Sequence, residues 1–132
     1  MQMSKDLLFE LQSLIIKKGI IDDEIINFVN SNFVISFEKV LESFSRGVIK
    51  NIYKPSDRIS WIVKGGEDKH LVYPKLYCSC QEFYKNVVIN RKRNYCKHII
   101  AQILSEALGE YNINELEDKK YYIMIKELES KF

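Results

Sequence analysis

Cys78-Ser79-Cys80 and Cys96-Lys97-His98 stand fifteen residues apart, with two metal-binding side chains in each triplet. Thiolate sulfur and imidazole nitrogen are donors that zinc takes. Four protein donors in a tetrahedron mark a structural site, because a catalytic zinc keeps one position open for water. On extended backbone, residues two apart point to the same side, so Cys78 and Cys80 can chelate together at the end of a strand. Cys96 and His98 fall at the start of an expected helix, whose positive end favours the anionic sulfur. Three thiolates around a divalent cation leave one negative charge, and Arg91, Arg93 and Lys97 lie close enough in sequence to offset it. Tyr77, Phe83, Tyr95 and Ile99 flank the ligands and can supply a dry shell. The competing account is three buried cysteines and a hydrogen-bonded histidine with no ion. A bound zinc would contribute on the order of 10 kcal/mol to folding, comparable with the stability of a whole domain.

These ligands need a frame. Ser4 is placed to cap a first helix with Leu7, Leu8, Leu11, Leu14 and Ile15 on one face and Gly19 at its end. Asp22 caps a second helix, with Ile21 and Ile26 at staple spacing and Ile25, Phe28 and Val29 continuing it. Ser36 starts a third, with Phe37, Val40, Leu41 and Phe44 as its stripe. The period then changes. Val48 to Tyr53, Ile59 to Lys64 and Leu71 to Tyr77 read as strands of a small antiparallel meander, with turns at Pro55-Ser56-Asp57 and Gly65-Gly66-Glu67-Asp68. Pro74 belongs at an edge or bulge. Gln81 to Val88 forms a helical turn or two, Asn90 to Asn94 a basic loop, and Lys97 to Leu108 a helix ending at Gly109. A last helix covers roughly Glu115 to Lys131, with Tyr121, Met124, Ile125, Leu128 and Phe132 on one side. The expected fold class is α+β: N-terminal helices over 1–46, a small antiparallel sheet leading into the metal site, and C-terminal helices, the last over 113–132. The whole chain, 1–132, makes a single domain.

With those elements laid out, Cys78-x-Cys80 followed by Cys96-x-His98 resembles the SWIM zinc-finger signature, a compact strand–strand–helix unit that here takes residues 48–109. Short SWIM proteins of the Shu-complex type are similar to this chain over roughly 33–128. The similarity rests on the phenylalanine-rich stretch Phe33 to Phe44, on Ser60-Trp61-Ile62-Val63, on Tyr77-Cys78-Ser79-Cys80-Gln81-Glu82-Phe83 and on Cys96-Lys97-His98-Ile99-Ile100-Ala101. The resemblance implies a Zn2+ cofactor. It also implies function by partnership: SWIM subunits of this kind pair with a RecA-fold recombinase paralogue, an ATPase, in homologous recombination and DNA repair. SWIM fingers also occur in ubiquitin-type adaptors, which usually need additional domains.

Composition bounds the remaining choices. Hydrophobic residues at 46% and charged residues at 29% fit a globular chain,. No apolar run approaches the roughly 18 residues of a membrane helix, and no signal peptide is evident. The expected location is the cytoplasm of an archaeal or bacterial cell, or the nucleus of a eukaryotic one, without membrane partners. Three cysteines, odd in number and confined to residues 78–96, argue against a disulfide framework and for a reducing compartment,.

Residues 45–97 hold 12 cationic against 4 acidic side chains, whereas 1–44 and 98–132 each hold 4 against 7. Such a basic centre between acidic ends fits either a solvated lysine-rich surface or a polyanion-facing patch. Lys85, Arg91, Lys92, Arg93 and Lys97 are the candidate contacts to single- or double-stranded DNA, their alternative role being charge compensation at the metal. Tyr84 and Tyr95 either stack on bases or cap the core. His70, far in sequence from the cysteines, reads as a surface or turn residue, and Trp61 as core. The four-donor set, the lack of a glycine-rich phosphate loop and the capping position of Asp22-Asp23 point away from an enzyme. The apolar stripes of the first and last helices are candidate partner surfaces. A stand-alone nucleic-acid-binding finger, in a small transcription or transposition factor, is the alternative.

Overall fold

A computed structural model describes residues 4–130, with side chains described for 7–128. The proposed Ser4 cap and the Phe132 end of the last stripe lie outside the described side chains. Three helices open the chain: α1 (Ser4–Lys18), α2 (Asp23–Asn32) and α3 (Phe37–Arg46). Their ends follow the capping rules. Asp22 Oδ1 accepts from the Ile25 N–H at 3.1 Å, and Ser36 Oγ from the Lys39 N–H at 3.4 Å,. Gly19 closes α1 at φ +73°, a conformation that suits glycine, with its N–H on the Ile15 carbonyl,. Lys18 Nζ reaches Asp22 Oδ2 at 2.9 Å and ties the first helix to the second helix's cap.

The middle of the chain forms β1 (Val48–Lys54), β2 (Arg58–Lys64), β3 (Lys69–Tyr73) and β4 (Tyr77–Cys78), joined as consecutive antiparallel neighbours. The expected third strand, Leu71 to Tyr77, is thereby divided. Proline has no N–H to donate and a fixed φ, so Pro74 opens a turn, with Lys75 at φ +64° and the Leu76 N–H bonded to the Tyr73 carbonyl,. The chain then doubles back and sets Cys78 opposite Val72. After the ligand loop come α5 (Lys97–Leu108), β5 (Asn112–Glu117) and α6 (Asp118–Ser130).

Strand β5 corrects the expected helix over 113–132. Asn112 to Glu117 lies parallel to β1, with Ile49 beside Asn112 and Lys54 beside Glu117, so the sheet is mixed rather than antiparallel, in the order β4-β3-β2-β1-β5. Without β5 the backbone groups along one side of β1 would lack partners, and parallel pairing supplies them. Asn112 and Asn114 are weak helix formers, and the helix starts only at Asp118. There the Asp118 carboxylate accepts from the Ser56 backbone and from Ser56 Oγ, pinning the start of α6 to the β1–β2 turn.

Helix α5 is the centre of the core. Every residue from His98 to Ser105 is buried, the pattern of a helix covered on all sides. One side packs on β2 and β3, the other on α1 and α3. Leu8, Leu11 and Ile15 of α1 have no exposed surface. Three of the five residues of the α1 stripe are thus spent inside the domain, and Leu7 and Leu14 are half-buried at its margin. Leu41, expected in the α3 stripe, is exposed instead. On the other face of the sheet α6 lies over β1 and β5: Tyr121 meets Tyr53 edge-on, and Tyr53 Oη is 2.9 Å from Ser60 Oγ. Trp61 is buried, as expected, against Tyr111. No helix among the described residues is long and apolar enough to cross a membrane.

Candidate metal centre

The β3–β4 hairpin delivers the first ligand pair. Ser79 is stitched to β3 twice: its N–H donates to the Leu71 carbonyl and its Oγ accepts from the Leu71 N–H, both at 2.9 Å. With Ser79 fixed against β3, the alternation of extended backbone turns Cys78 and Cys80 to the opposite side. Cys80 also caps the short helix α4 (Gln81–Phe83), its sulfur accepting from the Phe83 N–H at 3.3 Å. A wider π-helical turn, Tyr84–Ile89, follows. The second pair sits where expected, at the head of α5. Cys96 is the N-cap, and its side chain makes no capping hydrogen bond, which leaves the sulfur available.

All four side chains are buried, and their donor atoms lie within 4.8 Å of one another. His98 presents Nδ1 to the cluster, 3.7 Å from Cys78 Sγ and 3.8 Å from Cys96 Sγ. A tetrahedral zinc with ordinary bond lengths implies S···N edges of about 3.6 Å and S···S edges of about 3.8 Å. Both S···N edges therefore fit a zinc site, and four protein donors would make it a closed, structural one,. No other group of potential metal ligands occurs among the described residues.

The thiols show why this arrangement calls for a cation. Hydrogen bonds from Cys78 and Cys96 hold the Cys80 thiol far below the usual range, with the Phe83 N–H adding to the effect. Cys78 is pushed the opposite way by the same hydrogen bonding and by burial. Burial pushes Cys96 up to about 12. Burial thus opposes the acidifying effect expected at Cys96 from the head of α5, and the three sulfurs are close enough to share hydrogen bonds and protons. Zinc must displace the thiol protons. We expect zinc uptake to release thiol protons, so that apparent affinity rises with pH and falls as the medium is acidified. Calorimetry in buffers of differing ionisation heat counts those protons; a count of zero contradicts the assignment.

The surroundings are dry and aromatic. Tyr77 packs edge-on against Phe83, and Tyr95 against Phe33. Tyr95 is buried, its Oη accepting from the Val34 N–H at 3.0 Å, so it caps the core and is withdrawn from base stacking; Tyr84 is exposed. His70 differs from its expected surface role. It lies on β3 with its ring centroid 4.2 Å from that of His98, stacked on a ligand. A histidine twenty-eight residues before its partner carries no spacing signal; only the hairpin register brings it there.

The basic residues divide. Arg93 forms an ion pair with Glu82, donates to the Tyr95 carbonyl at 3.1 Å and lies over the Tyr95 ring. It closes the loop between the ligand pairs. Lys85, Arg91 and Lys92 are exposed, and Lys97 is half-buried at the start of α5.

The chain is similar to the zinc finger SWIM domain-containing protein 7 homolog of Dictyostelium discoideum, with 32% identity over 85 residues, 63% of this chain and 54% of that protein. It thus matches little more than half the length of that relative. No family model matches the chain, and no solved structure matches it. Sequence similarity and donor geometry agree: the chain resembles the SWIM zinc-finger proteins, and Cys78, Cys80, Cys96 and His98 form its zinc-compatible centre.

Proposed function

We propose that this protein is a non-catalytic, zinc-dependent accessory factor for homologous recombination that acts by binding a RecA-fold recombinase paralogue. One observation carries the reading: the buried set of four protein donors leaves no position for substrate or activated water,. The metal's task is then architectural, joining the β4 end to the head of α5 and fixing the surfaces around them. Partnership follows from the resemblance to Shu-type SWIM subunits. Mass spectrometry of the full chain, isolated natively from its own cells, should find one zinc per chain and a complex with a RecA-fold ATPase. Zinc-loaded protein without such a partner overturns this reading.

A stand-alone nucleic-acid-binding finger is favoured by one feature, the exposed Lys85, Arg91 and Lys92 on and beside the π-helical turn. Under that reading the isolated protein binds DNA tightly, with affinity falling steeply with salt, and loses it when Arg91 and Lys92 are neutralised. Arg93 is a poor probe of DNA contact because its loss would also open the ligand loop.

A further inference from the structure

The sheet ends, among the described residues, on β5, an edge strand whose protection is incomplete. Five of its six residues are exposed, and it contains neither proline nor lysine, the usual guards of a free edge,. Its charge is one-sided: from Glu106 to Asp118 the chain carries five acids and no lysine or arginine. Asn114 and Leu116 line the cavity beneath α6 with Ile49, Asn51 and Tyr53. By strand alternation Ile113, Glu115 and Glu117 occupy the opposite face. Ile113 is 57% exposed there and neighbours Lys50; Glu115 neighbours Ile52, which is paired in turn with the exposed Ile59. Lys54 of β1 lies beside Glu117 and is itself paired with Asp57; Glu117 also pairs with Lys119 at 3.1 Å, but with the side chains of Glu117 and Lys119 more than 70% exposed that contact is screened and exchangeable,.

We infer that β5 is the docking edge for an extended, basic segment of a partner protein, which adds a sixth strand to the sheet. This deepens the partner-binding reading above and rests on it. Strand addition takes its affinity from main-chain hydrogen bonds and its selectivity from alternate side chains. The face pattern dictates those side chains: an apolar residue opposite Ile113 and basic residues opposite Glu115 and Glu117, each two apart. A second copy of this chain is a poor occupant, because it would bring two all-acidic segments together. The neighbouring apolar surface of Ile52 and Ile59 lies on the same face as the three positions to be read.

The test uses the full zinc-loaded chain and two capped heptapeptides. One has isoleucine second, lysine fourth and sixth, and threonine elsewhere; the other has the reverse order, for antiparallel docking. At millimolar peptide at least one should shift the amide resonances of residues 112–117, while counterparts with glutamate for lysine should not. The double variant Glu115→Lys/Glu117→Lys should bind the basic peptide at least about tenfold more weakly and take up the acidic one, since two cross-strand pairs change sign. Retained zinc and an unchanged melting curve verify that the variant is folded. Three outcomes overturn the proposal: no shifts, shifts centred elsewhere, or equal binding of basic and acidic peptides. The two readings fail separately. A RecA-fold complex that survives the charge reversal removes β5 as the surface and leaves the partner. Peptide docking on β5 by a chain that captures no RecA-fold protein removes the partner and leaves the surface.

Discussion

Cys96→Ser should yield a chain that retains no zinc and has lost most of its cooperative unfolding transition. Cys96 is fully buried, caps α5 and faces His98 Nδ1 at 3.8 Å. A serine hydroxyl is a poor zinc donor, and three remaining ligands admit water to a site built to exclude it. A structural zinc contributes on the order of 10 kcal/mol, against a total of about 5–15 kcal/mol for a domain of ordinary stability. The loss is therefore close to the whole margin. The damage should begin at the hairpin, because β4 has only two residues and its return strand depends on the Ser79–Leu71 bonds and on the metal. Elemental analysis together with circular dichroism on heating decides the matter, and chelation of the unmodified chain followed by zinc addition should reproduce the change reversibly. A metal-free variant that melts with the native profile would contradict the structural role given to the ion.

Leu11→Ala should cost about 2–5 kcal/mol, the range for removing a fully buried leucine side chain that leaves a cavity. Leu11 has no exposed surface and lies on α1, which packs on α5, the helix that carries His98. Phe9→Ala, two residues earlier on the same helix but 49% exposed, should cost less, about 1 kcal/mol, the loss of the Lys75 contact over its ring included,. Denaturant titration of the two zinc-loaded variants reads the contrast. It bears on function as well: a complex lost when Leu8, Leu11 or Ile15 is made polar would report unfolding and not a missing contact. Comparable costs for the two substitutions would mean that the stripe is not in the core.

The helices and the metal ligands were legible because their signals are local. Asp22 and Ser36 cap the helices they precede, and the stripe of α1 has helical spacing because one face is buried. Cys78, Cys80, Cys96 and His98 announce themselves by type and by paired spacing. β5 was not legible. It is an exposed edge strand, so burial imposes no alternation on it, and its pairing to β1 crosses sixty residues of chain. Pro74 was expected at an edge or bulge of one strand; that it opens a reversal instead depends on where β4 finds its partner. His70 was misplaced for the same reason: its position beside His98 depends on a hairpin that sequence distance conceals.

Residue type and near-neighbour spacing thus sufficed for the first three helices, for α5 and for the zinc-compatible set of four donors, because capping, periodicity and chelation act over a few residues. The folded chain alone settled the mixed sheet, the burial of Leu8, Leu11 and Ile15, the ring contact of His70 with His98 and the loop-closing role of Arg93. Each of these arises from contacts between segments distant in sequence. There, burial and the need to pair every backbone donor override what a short stretch of residues prefers.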